Sequence, residues 1–251
     1  MKKIKIKNLY KVYGAHKNFE GTRALNGINL EIESGQVVAI MGPSGCGKTT
    51  LFSMISGIDT PTSGEVWVKD KNIFKMNSEE RATYRRNNIG LIFQEDMLID
   101  YFTIYENISL LRNDTNEIKK LSEYFGINKF LNKYPKELSF GERQKVAACR
   151  AFINNQDLIL ADEPTGNLDS NSSKKFIEYV LKLNNIRNDT FLMATHDPFV
   201  ASYCNRVVFL NDGKIIMDIY KKESRRHFLD RIFDCLVILE GEINDMEQEI
   251  L

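Results

Sequence analysis

The run IMGPSGCGKTT, residues 40–50, constrains this chain more than any other stretch. It fits the spacing G-x-x-x-x-G-K-[ST], in which a loop curls its backbone N–H groups around phosphate oxygens while the following helix adds its N-terminal dipole. Gly42, Gly45 and Gly47 free the backbone to approach an anion closely, Lys48 is spaced to reach β and γ phosphates, and the Thr49 hydroxyl suits Mg²⁺. Pro43, Ser44, Cys46 and Thr50 complete the loop. The preceding QVVAIM reads as a buried strand, and KTTLFSMIS as a helix with Leu51, Met54 and Ile55 on one face. That order predicts a polyphosphate ligand. Cys46 stands just before a helix start, a place that lowers a thiol pKa, so a reactive cysteine is expected, the alternative being an unreactive small residue that fills the loop.

A chain of 251 residues buries a full core in one large domain, with or without a subdomain. Its 34 basic and 34 acidic side chains leave no basic excess of the kind that marks a nucleic-acid binder, so no nucleic-acid partner is expected. No apolar run reaches the roughly 18 residues of a membrane span, and MKKIKIKNLY lacks an apolar signal core. The expected location is cytosolic, or at a membrane through a partner. Cys46, Cys149, Cys204 and Cys235 form neither a C-x-x-C nor a metal-ligand spacing.

Strand-like and helical runs alternate, which implies an α/β fold with parallel strands at its centre. KIKIKNLY, GINLEIE and GEVWVKD suggest an antiparallel side sheet. The segment from about Asp100 to Phe152 is helical in pattern, and NRVVFLNDGKIIMD reads as a hairpin around Asn211, Asp212 and Gly213. In LILADEP, four apolar residues carry Asp162 and Glu163 to the carboxyl end of a central strand, where open α/β sheets bind ligands. Asp162 suits Mg²⁺, and Glu163 is placed to polarise the water that attacks a γ-phosphate.

LSFGERQKVAACRAF holds a second anion-binding helix start, with Ser139 and Gly141 at its head. One nucleotide cannot easily use both starts, but two subunits meeting head to tail can. With the phosphate loop and LADEP, this segment makes residues 4–218 resemble the ATPase subunit of an ATP-binding-cassette (ABC) transporter. The resemblance implies an α/β fold: a P-loop NTPase core with a parallel central sheet, an antiparallel β side sheet, a helical subdomain at about 100–152 and a C-terminal helical extension. It implies a nucleotide-binding domain over 1–220, an extension over 221–251, and ATP with Mg²⁺ as cofactors. Tyr13 matches the aromatic on which adenine stacks, and Gln94 the glutamine that senses Mg²⁺ and the attacking water. Asp169 matches the aspartate that crosses to the other subunit, and His196 the histidine that contacts the γ-phosphate. Catalysis is then expected from Glu163, His196, Gln94 and Lys48, and metal binding from Thr49, Gln94 and Asp162.

The implied partners are a second copy of the chain, with ATP at the interface, and an integral membrane permease on whose inner face the protein sits. DEPTGNLDS and the spacer GAHKNFEGTRALNGINLEIESG resemble the lipoprotein-release and macrolide-export group, and the tail IYKKESRRHFLDRIFDCLVILEGEIND the bacitracin-resistance type. That type implies a peptide-antibiotic permease and a sensor histidine kinase as a further partner. Two departures stand out. Phe140 occupies a position where the family has glycine, so its ring either turns away from the composite site or obstructs it, and the second outcome describes a degenerate, regulatory subunit; a division-type cassette that signals across the membrane without moving a substrate is a separate alternative. Asp100 stands where relatives often have proline, in the region facing the permease. In the tail, Leu229, Ile232, Leu236, Leu239, Ile243, Met246 and Ile250 form a heptad seam, which serves equally a helix packed on its own domain and one facing a partner.

Overall fold

The computed structural model describes residues 2–14 and 21–248, with side chains through residue 239. In chain order the elements are β1 (Lys2–Tyr13), β2 (Thr22–Glu33), β3 (Val37–Met41), α1 (Lys48–Ser56), β4 (Ser63–Val68), β5 (Lys71–Asn72), α2 (Ser78–Asn88), β6 (Ile89–Ile92), α3 (Ile104–Ser109), α4 (Thr115–Tyr124), α5 (Phe140–Phe152), β7 (Leu158–Asp162), α6 (Ser170–Arg187), β8 (Thr190–Thr195), α7 (Pro198–Ala201), β9 (Arg206–Asn211), β10 (Lys214–Tyr220) and α8 (Arg225–Gln248).

The central sheet runs β10-β9-β3-β8-β7-β6. Its strands are parallel except β10, which returns antiparallel along β9. Both faces are covered, which is why these strands read as unbroken apolar runs. Alternate residues divide between two cores. Val37, Ala39, Ile159, Phe191, Met193 and Phe209 face the helices α3 to α6 and α8, whereas Val38, Ile40, Leu158, Leu192 and Val208 face α1 and the side sheet. The side sheet, β2-β1-β4-β5, is antiparallel and one-sided. Ile4, Ile6 and Leu9 point inward, and Lys5 and Lys7 toward water. Lys3 breaks that division: it is buried, and its Nζ pairs at 2.5 Å with Asp157 just before β7, tying side sheet to central sheet.

Between β6 and β7 the helices α3, α4 and α5 pack Ile104, Ile108, Ile118, Leu121, Phe125 and Val146 into one apolar cluster. The buried face of α8 is Phe228, Ile232, Cys235 and Leu239, with Leu229 and Leu236 half-buried beside it. The helix lies against α7 of its own domain; Ile232 and Leu239 of the expected seam are buried, Leu229 and Leu236 are half-buried, and Phe228 and Cys235 join the buried row beside them. Phe233, Val237 and Ile238 are exposed on its outer side. Residues 15–20 of the N-terminal spacer and Ile250 lie outside the described residues, as do the side chains of Ile243 and Met246.

Because Ile232 is fully buried, Ile232→Ala is expected to cost about 2–5 kcal/mol in urea unfolding, a transfer loss plus a cavity. Val237→Ala, at a position 68% exposed, is expected to stay within about 0.5 kcal/mol of the parent chain. Equal effects would mean that the outer side is buried in solution.

Candidate functional site

Four neighbouring strands, β3, β8, β7 and β6, run parallel and end at one edge of the sheet. Each delivers a residue of the expected site within two positions of its end: Gly42 after β3, His196 after β8, Asp162 and Glu163 at β7, and Gln94 after β6. There Gln94, Glu163 and His196 border a cavity of about 500 Å³ lined also by Ser44, Gly45, Gly47, Lys48, Thr49 and Thr50, whereas Gly42 and Asp162 do not line it. A roomier groove of about 730 Å³ between β4 and α2, lined by Trp67, Lys71, Glu80 and Tyr84 among others, has no glycine loop. Its acidic residues, Glu79 and Glu80, are solvated.

The loop after β3 has little freedom to be anything but glycine at two points. A Cβ on Gly42 would strike the Leu210 carbonyl and lie 2.7 Å from the Cys46 sulfur. Gly47 holds φ at 107° and packs on the Ala24 carbonyl. Gly47 also caps α1 without any side-chain bond, whereas α2 to α7 are capped by Asn77, Thr103, Asp114, Ser139, Asp169 and Asp197. The first N–H groups of α1 are therefore left for an external anion. Lys48 donates to the carbonyls of Gly42 at 2.8 Å and Pro43 at 3.0 Å, and its ammonium lies 3.5 Å from Glu163 Oε1.

Glu163 has φ of 47°, a left-handed conformation that a side chain makes costly. Its N–H donates to the Ala194 carbonyl at 3.0 Å, and the Gly166 N–H closes a turn by donating to the Glu163 carbonyl at 3.0 Å. This turn swings the carboxylate off the strand and between two partners, with Oε2 2.9 Å from His196 Nδ1 and Oε1 facing Lys48. Asp162, one residue earlier, stays under the loop beside the Thr49 hydroxyl. Burial pushes its carboxyl above the usual range, Thr49 opposes that shift, and Oδ1 is buried with no hydrogen-bond partner. A buried carboxylate oxygen with no donor, next to a threonine hydroxyl, fits a hard divalent cation such as Mg²⁺.

Tyr13 stands at the end of β1, exposed, with Lys11 Nζ 4.6 Å from its ring centre and its hydroxyl donating to Asp59 at 2.9 Å. Ser139, Gly141 and Asp169 do not line the cavity. Ser139 caps α5 in a reciprocal box: its hydroxyl and N–H each donate to Glu142 Oε2 at 2.8 Å, which holds that carboxyl below the usual range. Phe140, half-buried at the head of α5, lies under the Arg143 guanidinium, 5.4 Å from ring centre. Asp169 caps α6 by accepting from the N–H groups of Asn171 and Ser172.

The model of the ABC transporter family matches residues 25–166 of this chain. The chain belongs to the ABC transporter family. It is the ATP-binding subunit, an ABC-type ATPase. It is 41% identical to the ABC transporter ATP-binding protein YxdL of Bacillus subtilis, over 97% of this chain and 96% of that one. It is 38% identical to the bacitracin export ATP-binding protein BceA of Halalkalibacterium halodurans, over 95% and 97%. Among solved structures it resembles the dimeric, post-hydrolysis state of the cassette MJ0796 bound to ADP and Pi, with TM-score 0.79 and 35% identity over 88% of this chain and 100% of that one. MJ0796 is a protein of Methanocaldococcus jannaschii. No helix among the described residues of the ABC ATPase is long and apolar enough to cross a membrane.

Two features of this ABC ATPase escape its sequence motifs. Gln144 is fully buried, and its amide bridges the loops after β6 and β7. The signal was present in the pattern, because Gln144 shares a helical stripe with Ala148 and Ala151, both buried. Cys46 corrects an expectation. It is only 5% exposed, packed under Gly42, and burial pushes its thiol up despite the nearby Lys48 ammonium. The helix start was visible in the letters, but the desolvation that outweighs it was not. Cys46 is therefore expected to alkylate with N-ethylmaleimide more slowly at pH 7 in the folded chain than in the urea-unfolded chain, as read by mass mapping of its peptide. Faster labelling when folded would restore the reactive thiol.

Proposed function

We propose that this ABC ATPase works as a head-to-tail homodimer beneath a membrane permease and powers the removal or detoxification of a peptide antibiotic. The observation that carries the catalytic part is the Lys48–Glu163–His196 chain at the edge of the phosphate loop. Phosphates of ATP take the N–H groups at the head of α1, and Lys48 leaves its loop carbonyls for the β and γ oxygens. Glu163, held by its left-handed turn, accepts the proton of the attacking water. His196 carries a second donor to the γ-phosphate and steadies Glu163 through Nδ1. Thr49, Asp162 and Gln94 would hold Mg²⁺, which neutralises charge developing on the phosphates. Tyr13 stacks on adenine at the rim of the site.

Ser139, Gly141 and Asp169 lie away from their own cavity, which suits service to a partner's nucleotide. The dimeric MJ0796 cassettes support this arrangement by likeness. Phe140 favours competence over a purely regulatory role, because its ring is held by Arg143 of its own helix. The permease reading rests on an exposed apolar group just after Gln94: Met97, Ile99, Tyr101 at 90% exposure, and Phe102. Such a surface suits a membrane subunit and would keep the chain on the inner face of the membrane. The name of BceA supports a bacitracin-like cargo, and an associated sensor kinase rests on that resemblance alone.

Specific ATPase activity is expected to rise with protein concentration, as a dimeric site demands. Glu163→Gln is expected to lower turnover by about 10²-fold or more while ATP-bound dimer accumulates on size exclusion. Near-parental turnover in that variant would remove Glu163 from the role of base. Phe140→Gly is expected to change turnover less than about threefold. A severalfold rise from a negligible parental rate would favour the regulatory reading.

A further inference from the structure

The loop that carries Gln94 and the loop that carries Glu163 are joined by a side chain from a third element. Gln144 of α5 is fully buried, and its Nε2 lies 2.9 Å from the Phe93 carbonyl, 3.2 Å from the Gln94 carbonyl and 2.9 Å from the Pro164 carbonyl. Its Oε1 is buried with no partner. An amide nitrogen has two hydrogens, so three carbonyls share them and none is free to drift without releasing another. The helix reinforces the hold on one side: Arg143 Nε donates to Asp96 at 2.7 Å, and Arg150 donates to the carbonyls of Asp96 at 2.8 Å and Met97 at 2.7 Å. On the other side the Gln94 side chain rests on Gly166, where an added Cβ would stand 3.1 Å from Gln94 Nε2. Gln144 is five residues from Ser139, or about 7.5 Å along the same helix.

We propose that Gln144 is a positioning residue for hydrolysis: its amide sets the spacing between Gln94 and Glu163 and couples that spacing to the Ser139 end of α5. Movement of α5 when a partner's nucleotide engages Ser139 is transmitted through one buried amide to both loops of its own site. This inference rests on the ATPase reading above, and only its kinetic arm depends on that reading.

Two variants of the full chain test it. Gln144→Met keeps the length and loses both donors, whereas Gln144→Asn keeps the amide but withdraws it by one methylene. In amide hydrogen exchange without nucleotide, both are expected to speed exchange in residues 93–97 and 165–168 and to leave α1 unchanged. In ATPase assays, kcat is expected to fall about 10-fold with KM for ATP within about twofold, since the phosphate loop is untouched. Combined with Gln94→Ala, Gln144→Met is expected to lose less than the product of the two single losses, because it acts partly through Gln94. Exchange unchanged in both loops, strictly multiplicative losses, or exchange accelerated throughout the chain with a fall in melting temperature would each overturn the proposal. A parental chain that hydrolyses no ATP would defeat the ATPase reading instead, and the exchange result alone would then decide on Gln144.

Discussion

Burying both faces of a parallel sheet leaves polar chemistry one place to go, the ends of the strands. In this ABC ATPase the interiors of β3, β7 and β8 are apolar without interruption, so polar residues stand at the strand ends or just beyond them. The strand order then does the assembling. Neighbours in the sheet bring residues 42, 94, 163 and 196, far apart in the chain, to one edge without any long loop needing to fold back. The same constraint explains the strain at Glu163. A strand continued in extended form would aim its carboxylate at the face of the sheet opposite Asp162, and the left-handed turn brings it instead between Lys48 and His196.

Much of this was legible from letters because the motifs have narrow backbone solutions. The glycine spacing of the phosphate loop admits few conformations, and an apolar strand ending in Asp162 and Glu163 admits one address in an open sheet. The hairpin at Asp212 and Gly213 was equally readable, since both adopt positive φ there. What stayed hidden depends on packing across elements. Cys46 shares its helix start with every residue of that loop, but only the approach of Gly42 and the neighbouring core makes it dry. Gln144 can be placed on the buried stripe of α5 from the pattern, but what its amide holds shows only when α5 is laid against the loops after β6 and β7. In the tail, periodicity marks an amphipathic helix whose Ile232 and Leu239 are buried, but a spacing of three and four does not fix the width of the inner face, and contact with α7 adds Phe228 and Cys235 to it.

The two helix starts that could receive phosphate are held in opposite conditions. That of α1 has no side-chain cap, and its N–H groups are presented by glycine. That of α5 is closed by its own residues, with Ser139 and Glu142 satisfying one another and placing a carboxylate where an anion would approach. On the dimeric function proposed above, a chain alone would offer one ready phosphate site and one guarded site, and the guarded one would have to exchange an internal bond for an external one.

The three contacts of Lys48 bear on how binding divides between enthalpy and entropy. A long, flexible side chain normally gives up much rotamer freedom when it clasps a ligand, on the order of 1.5–2 kcal/mol for lysine. Here that freedom is already spent in folding, on the carbonyls of Gly42 and Pro43 and on the field of Glu163. Arrival of a polyphosphate becomes a swap of acceptors around an ammonium that is already in place. Such a swap leaves little ordering cost in the loop itself, so the entropy change on nucleotide capture is governed by water released from the phosphates and by whatever the rest of the chain must order around them.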